Sequence, residues 1–181
     1  MVYSAVQLVR TRGATGTGVR DVVEHAGAPR GSFQHYFPGG KDQLVGEAVL
    51  WGADYAADHV RAYRDIARRP TPSGLFAHMA RQWKDEFAKR GFDRGCPLMA
   101  ATADLVGVGS AVSEQLRDGL GRWEAAVVDE LAAMAVPRRR AKRLAILMIS
   151  TLEGAIMSAR LRGEAGPLTT VVAELSPLLD G

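Results

Sequence analysis

Thr17-Gly-Val-Arg-Asp-Val-Val-Glu-His-Ala-Gly-Ala-Pro-Arg-Gly-Ser-Phe-Gln-His-Tyr-Phe-Pro-Gly-Gly-Lys-Asp-Gln-Leu44 is the stretch on which the fold turns. It holds two short amphipathic segments separated by a tight turn at Ala26-Gly27-Ala28. The second segment runs into an aromatic pair, a Pro38-Gly39-Gly40 break and a lysine that opens a new helix. That layout is a helix-turn-helix, in which the second helix enters the DNA major groove.

Outward from this stretch, helical spacing continues almost without interruption, and no segment alternates with period two, so an all-α fold of about nine helices and no strands is expected. Helix 1 is expected over 2–12 and helix 2 over 18–25, with Thr17 as N-cap. Helix 3 is expected over 29–36, with Pro29 at its first position, where a missing N–H costs nothing. A long fourth helix, 40–68, carries Leu44, Ala48, Trp51, Tyr55, His59, Ala62 and Ile66 as one stripe. Further helices are expected over 73–89, 97–106, 110–134, 139–162 and 167–179. Residues 1–45 form a three-helix DNA-binding domain in this reading, and 46–181 a larger helical domain for ligand binding and dimerisation.

Hydrophobic residues make up 47% of the 181, enough to bury a sizeable core. The longest mostly apolar run, Leu144 to Met157, contains Glu153 and is too short to span a bilayer, and no signal peptide is visible. A cytoplasmic protein without membrane partners is therefore expected. A single cysteine, Cys96, excludes an internal disulfide and a cysteine-cluster zinc site. Net charge is only +3, but residues 1–45 carry five Lys/Arg against three Asp/Glu, so +2 of it lies around the helix-turn-helix.

The 139–162 helix is apolar nearly all round between Leu144 and Met157 and must be covered on both sides. Ser150, Gly154 and Ser158 would admit a second helix at close range. With Leu168, Val171, Val172, Leu175, Leu178 and Leu179 on the last helix, this predicts a homodimer through the last two helices, packed as a four-helix bundle.

Val19-Arg-Asp-Val-Val-Glu-His-Ala-Gly, Arg30-Gly-Ser-Phe and His35-Tyr-Phe-Pro-Gly-Gly-Lys-Asp-Gln-Leu together resemble the DNA-binding domain of the TetR/AcrR family of transcriptional regulators. Gly95-Cys-Pro-Leu-Met-Ala-Ala-Thr-Ala is similar to a segment of that family's LmrA/YxaF-type branch. The resemblance implies a dimeric repressor that binds a palindromic operator and leaves it when a small ligand occupies the C-terminal domain. It also implies a phosphate contact near Thr17. Three departures stand out: Pro29 where Ser or Thr is common, Gln34 where Tyr is frequent, and no basic lead-in before helix 1.

Read physically, Arg30, Gly31, Ser32, Gln34 and His35 lie at or near the start of helix 3. Glutamine can grip adenine, and arginine guanine, through paired hydrogen bonds. Gly31 and Ser32 are small enough for close approach, and the Tyr36 hydroxyl suits a phosphate. Phe33 and Phe37 are expected in the core. Lys41 in the first turn of a helix opposes the macrodipole, which a phosphate bound there with the N–H groups of Gly40 would reverse. The DNA-binding set is therefore Thr17, Gly18, Arg30, Gly31, Ser32, Gln34, His35, Tyr36 and Lys41.

For an effector, Trp51, Tyr55, His59, Trp83, Phe87, Met99, Thr102, Trp123, Met148 and Leu152 are expected to line a common interior suited to a flat apolar molecule. Ligand there would move helix 4 like a lever and spread the recognition helices. Plain core packing is the alternative for each aromatic. The basic run Arg138-Arg-Arg-Ala-Lys-Arg143 reads as a solvated helix start. No metal-ligand spacing, dinucleotide loop, phosphate loop or serine elbow is visible, so no enzyme, metal or cofactor is expected. The rival reading is a helical ligand-binding or adaptor protein without DNA binding.

Overall fold

Gly27 ends the second helix in the left-handed region, at φ 60, where glycine carries no Cβ penalty. Its N–H donates to the Glu24 carbonyl, and Ala28 N–H to that of Val23, at 3.0 Å each, which closes the helix in a Schellman motif. The turn expected at Ala26-Gly27-Ala28 is thereby explained bond by bond.

The computed structural model describes residues 1–29, 31–107 and 110–181. Its helices are α1 (Val2–Arg12), α2 (Val19–His25), α3 (Ser32–Tyr36), α4 (Gly40–Arg61), α5 (Tyr63–Ile66), α6 (Pro72–Arg90), α7 (Pro97–Leu105), α8 (Ser113–Ala133), α9 (Arg138–Arg162) and α10 (Gly166–Asp180). No strand occurs among the described residues. The all-α expectation holds, and the nine helices become ten segments because α4 stops at Arg61 and a single turn, α5, follows.

Two compact units result. The first comprises Met1–Asp54 with Gly95–Gly121, and the second Tyr55–Arg94 with Arg122–Gly181. Thus α7 and the first residues of α8 belong with the helix-turn-helix. In the first unit, Ala5, Val6, Leu8, Val22, Val23, Phe33, Phe37, Leu44 and Ala48 form one core. Phe33 and Phe37 stack within it at 5.4 Å, as expected of core aromatics.

The stripe expected on the fourth helix is corrected. Leu44 and Ala48 are buried, but beyond them the buried line is Val49, Ala53, Ala57 and Val60, and Trp51, Tyr55 and Ile66 are exposed. Both lines satisfy helical spacing, and close approach decides between them. A Cβ on Gly119 of α8 would lie 3.2 Å from the Ala53 Cβ, and one on Gly52 would lie 2.6 Å from Cγ of Pro97. Such a seam admits alanine and glycine, not indole and phenol.

Two helix starts also differ from expectation. Gly18, not Thr17, is the N-cap of α2, and Thr17 Oγ1 instead donates to the Gly13 carbonyl at 2.7 Å. α3 starts at Ser32 rather than Pro29, because the Pro29 carbonyl accepts both the N–H and the hydroxyl of Ser32 in a turn.

In the second unit, Thr71 caps α6 by accepting the Gly74 N–H, and Pro72 takes the first helical position. Asp180 at the end of α10 accepts from the N–H and hydroxyl of Ser73, tying that helix to the start of α6. α9 is long and apolar enough to cross a membrane, unlike the shorter run Leu144 to Met157 taken alone, and half of that stretch is buried among its neighbours. Its outer side leaves Ile146, Ser150, Gly154, Met157, Ser158 and Leu161 exposed, and Leu161 is 90% accessible. Beside them runs a groove of about 600 Å³, lined by Gly154 and Ser158 of α9 and by Pro167 and Val171 of α10.

Candidate nucleic-acid interface

α3 has one buried residue, Phe33, and it anchors the helix to the core. The remaining face is therefore turned outward. Gln34 and His35 are exposed and Tyr36 is 61% exposed, its ring edge-on to His35 at 5.1 Å. Gly31 precedes the helix with nothing within 4 Å of where a Cβ would stand, so its backbone is open to an approaching surface. Gln34 Nε2 lies 3.4 Å from the Pro38 carbonyl, a long bond that a base edge can replace. Arg30 lies outside the described residues.

Two expected contacts look different in place. Thr17 is 2% exposed and its hydroxyl is committed to Gly13, so its side chain is turned away from any phosphate. The Ser32 hydroxyl is held by Pro29, which leaves Ser32 as a small residue rather than a free donor. Gly18, at the α2 N-cap, has Asp21 Oδ2 3.1 Å from where a Cβ would stand.

Lys41 sits in the first turn of α4, and its Nζ donates to the Thr15 carbonyl at 3.1 Å. That bond brings the cation over the turn that leads into α2. The N–H groups near it are not free as expected. Gly40 N–H donates to the Phe37 carbonyl, and Gly39 N–H to Oε1 of Gln43, each at 2.9 Å. Gln43 reaches back over the helix start in the manner of a capping box. Lys41 remains the only cation among the described residues of that first turn.

Residues 3–48 match the description of bacterial regulatory proteins of the tetR family, and residues 72–174 that of the LmrA/YxaF-like transcriptional regulator C-terminal domain. This chain belongs to the TetR family of transcriptional regulators. An uncharacterized HTH-type transcriptional regulator of Mycobacterium tuberculosis is 38% identical over 190 residues, spanning 99% of this TetR-family chain and 92% of that protein. HTH-type transcriptional regulator LmrA of Bacillus subtilis is 24% identical over 179 residues, with 99% and 94% of the two chains covered. The crystal structure of regulatory protein TetR from Rhodobacter sphaeroides shares the fold, with a TM-score of 0.81 at 22% identity, over 96% of this chain and 93% of that one.

The residues expected around an effector are divided between the two units of this TetR-family regulator. Trp51, Met99 and Thr102 lie in the first unit, and the other seven in the second. Trp51 and Tyr55 are 40% and 54% exposed, on the outer side of α4. Phe87, Trp123, Met148 and Leu152 are buried, and Trp83 lies 5.9 Å from Phe87. The Trp123 indole N–H is buried and meets no acceptor among the described residues. His59 stacks on His78. In the basic run, Arg138 pairs with Asp129 at 3.1 Å, and Arg140 donates to the Leu178 carbonyl at 3.0 Å. Among the described residues no cluster of His, Cys, Asp or Glu is arranged to hold a metal ion. Sequence reasoning missed Thr15 and Asp104, whose bond spans 89 residues and leaves no local pattern.

Proposed function

We propose that this regulator is a homodimeric repressor that binds a palindromic operator and is released by a small apolar effector. The observation that carries the reading is the outward face of α3, with Gln34, His35 and Tyr36 exposed on a helix anchored by Phe33, followed by Lys41 in the first turn of α4. Gln34 reads a base edge; Tyr36 and Lys41 take phosphates; Gly18, Gly31 and Ser32 permit close approach; Arg30 adds a base or phosphate contact. Residues 1–45 carry DNA binding, and 46–181 carry effector binding and dimerisation.

The exposed stripe of Ile146, Met157 and Leu161 supports pairing of α9 and α10 with those of a second copy, around the close-approach positions Ser150, Gly154 and Ser158. The unsatisfied Trp123 N–H supports an effector that offers one hydrogen-bond acceptor within an apolar frame. Effector binding favours a state in which α4 carries the recognition helices out of register with successive major grooves. The protein acts in the cytoplasm, with its DNA.

Light scattering on the free protein and on its complex with selected DNA tests this reading. Two protomers are expected in each. Met157→Asp with Leu161→Asp should give a folded monomer with much weaker operator binding. A wild-type protein that binds its site as one protomer would refute the dimeric reading.

A further inference from the structure

Within the first unit α7 is fastened near both of its ends, to α1 on one side and to the turn that follows α1 on the other. Ahead of α7, Gly95 N–H donates to the Arg10 carbonyl, and Arg10 Nε donates to the Gly95 carbonyl, each at 2.9 Å. At the far end, Asp104 Oδ2 accepts the Thr15 N–H at 2.9 Å. Gly13 makes room for that carboxylate. It adopts φ 75, ψ 172, a conformation open essentially to glycine alone, and a Cβ there would overlap Asp104 Oδ2. Thr15 is also the residue whose carbonyl receives Lys41. One exposed turn is thus held from α7 by a carboxylate and from α4 by an ammonium group.

We propose that Asp104 is a positioning residue for DNA binding: through the Thr15 N–H it fixes the turn on which Lys41 is stationed. The proposal rests on the reading of Lys41 as a phosphate contact. Charge alone argues the opposite way. A carboxylate near a DNA-facing turn repels the polyanion, so its removal should tighten binding unless its geometry matters more. An ionised acceptor makes a stronger bond to a backbone N–H than a neutral one, and a two-sided restraint on a turn between helices replaces several accessible conformations by one.

The test is titration of the full-length protein with its selected DNA. Asp104→Ala should weaken binding about tenfold although it removes a negative charge. Asp104→Asn keeps an acceptor and sheds the charge, so it should bind within about twofold of wild type or tighter. In a Lys41→Ala background the loss from Asp104→Ala should largely disappear, because both act through Thr15. Amide exchange at Thr15 should rise in Asp104→Ala and stay protected in Asp104→Asn. Unchanged or tighter binding by Asp104→Ala, or an equal loss in both backgrounds, overturns the positioning role. Wild-type binding indifferent to Lys41→Ala overturns the reading of Lys41, and the role of Asp104 with it.

Discussion

His59 and His78 stack with their ring centroids 4.0 Å apart and their planes 10° from parallel. Nε2 of each faces the backbone carbonyl of the other, at 3.4 and 3.0 Å, which ties the last part of α4 to α6. Burial holds the His59 imidazole below its ordinary pKa of 6.5; the neighbouring His78 adds to this, and the bond to the His78 backbone partly offsets it. Between the lowered value and the ordinary one, the unfolded chain binds more protons than the folded chain, so the stability from this group is complete above the ordinary value and is lost as pH falls. Thermal unfolding should therefore move to lower temperature on going from about pH 7.5 to 5.5, and His59→Gln should flatten that dependence. Identical pH dependence in the two proteins would show that the stacked pair does not set it.

Lys41→Ala should weaken binding to all DNA sequences and reduce the salt slope by about one unit, since one phosphate contact is lost. Gln34→Ala should behave differently, at a cost of about 1–3 kcal/mol at one base position with the others spared. Titrations of operator variants at several salt concentrations separate the two effects. A uniform loss for Gln34→Ala would make that residue a backbone contact.

Ala135 follows α8 with φ 64, the one non-glycine residue with positive φ among those described. Its N–H and that of Val136 close the helix on the carbonyls of Ala132 and Leu131, the pattern that Gly27 serves after α2. Alanine carries a Cβ penalty there that glycine lacks, so Ala135→Gly should stabilise the protein by about 0.5–1 kcal/mol in chemical denaturation, contrary to the usual effect of glycine. A loss of stability would mean that the entropy of the unfolded glycine outweighs the relief.

Gly119 of α8 lies close to Ala53 and Val49 of α4 and to Leu98 of α7. Gly119→Val should overpack that seam and cost about 1–3 kcal/mol, read from denaturant midpoints. Gly121, two positions on, has open space around it, so Gly121→Ala should be neutral or stabilising. Equal responses at the two positions would refute the close seam.

The helix-turn-helix was legible because its signals are local. Gly27 sets the turn, Pro38-Gly39-Gly40 breaks the chain, and Phe33 and Phe37 face inward by spacing. The start of α3 was misplaced because proline suits both a first helical position and a turn, and only the bond from Ser32 to Pro29 separates the two. On α4, two faces met the same periodicity. The aromatic face looked like the core by hydrophobicity, yet the alanine face won because α8 comes close at Gly119. The grouping of α7 with the first unit depends on pairs such as Arg10 with Gly95 and Thr15 with Asp104, 85 and 89 residues apart, whose meeting is a product of the fold.

The claim that this chain reads DNA as a two-fold pair is tested most directly by selecting from genomic fragments with the purified full-length protein at low and moderate salt. The account predicts enrichment of a palindrome whose half-sites lie about one helical turn apart, ~34–36 Å, with affinity falling steeply as salt rises. A folded protein that enriches no sequence at either salt concentration would contradict it, and would leave the exposed face of α3 without a DNA partner.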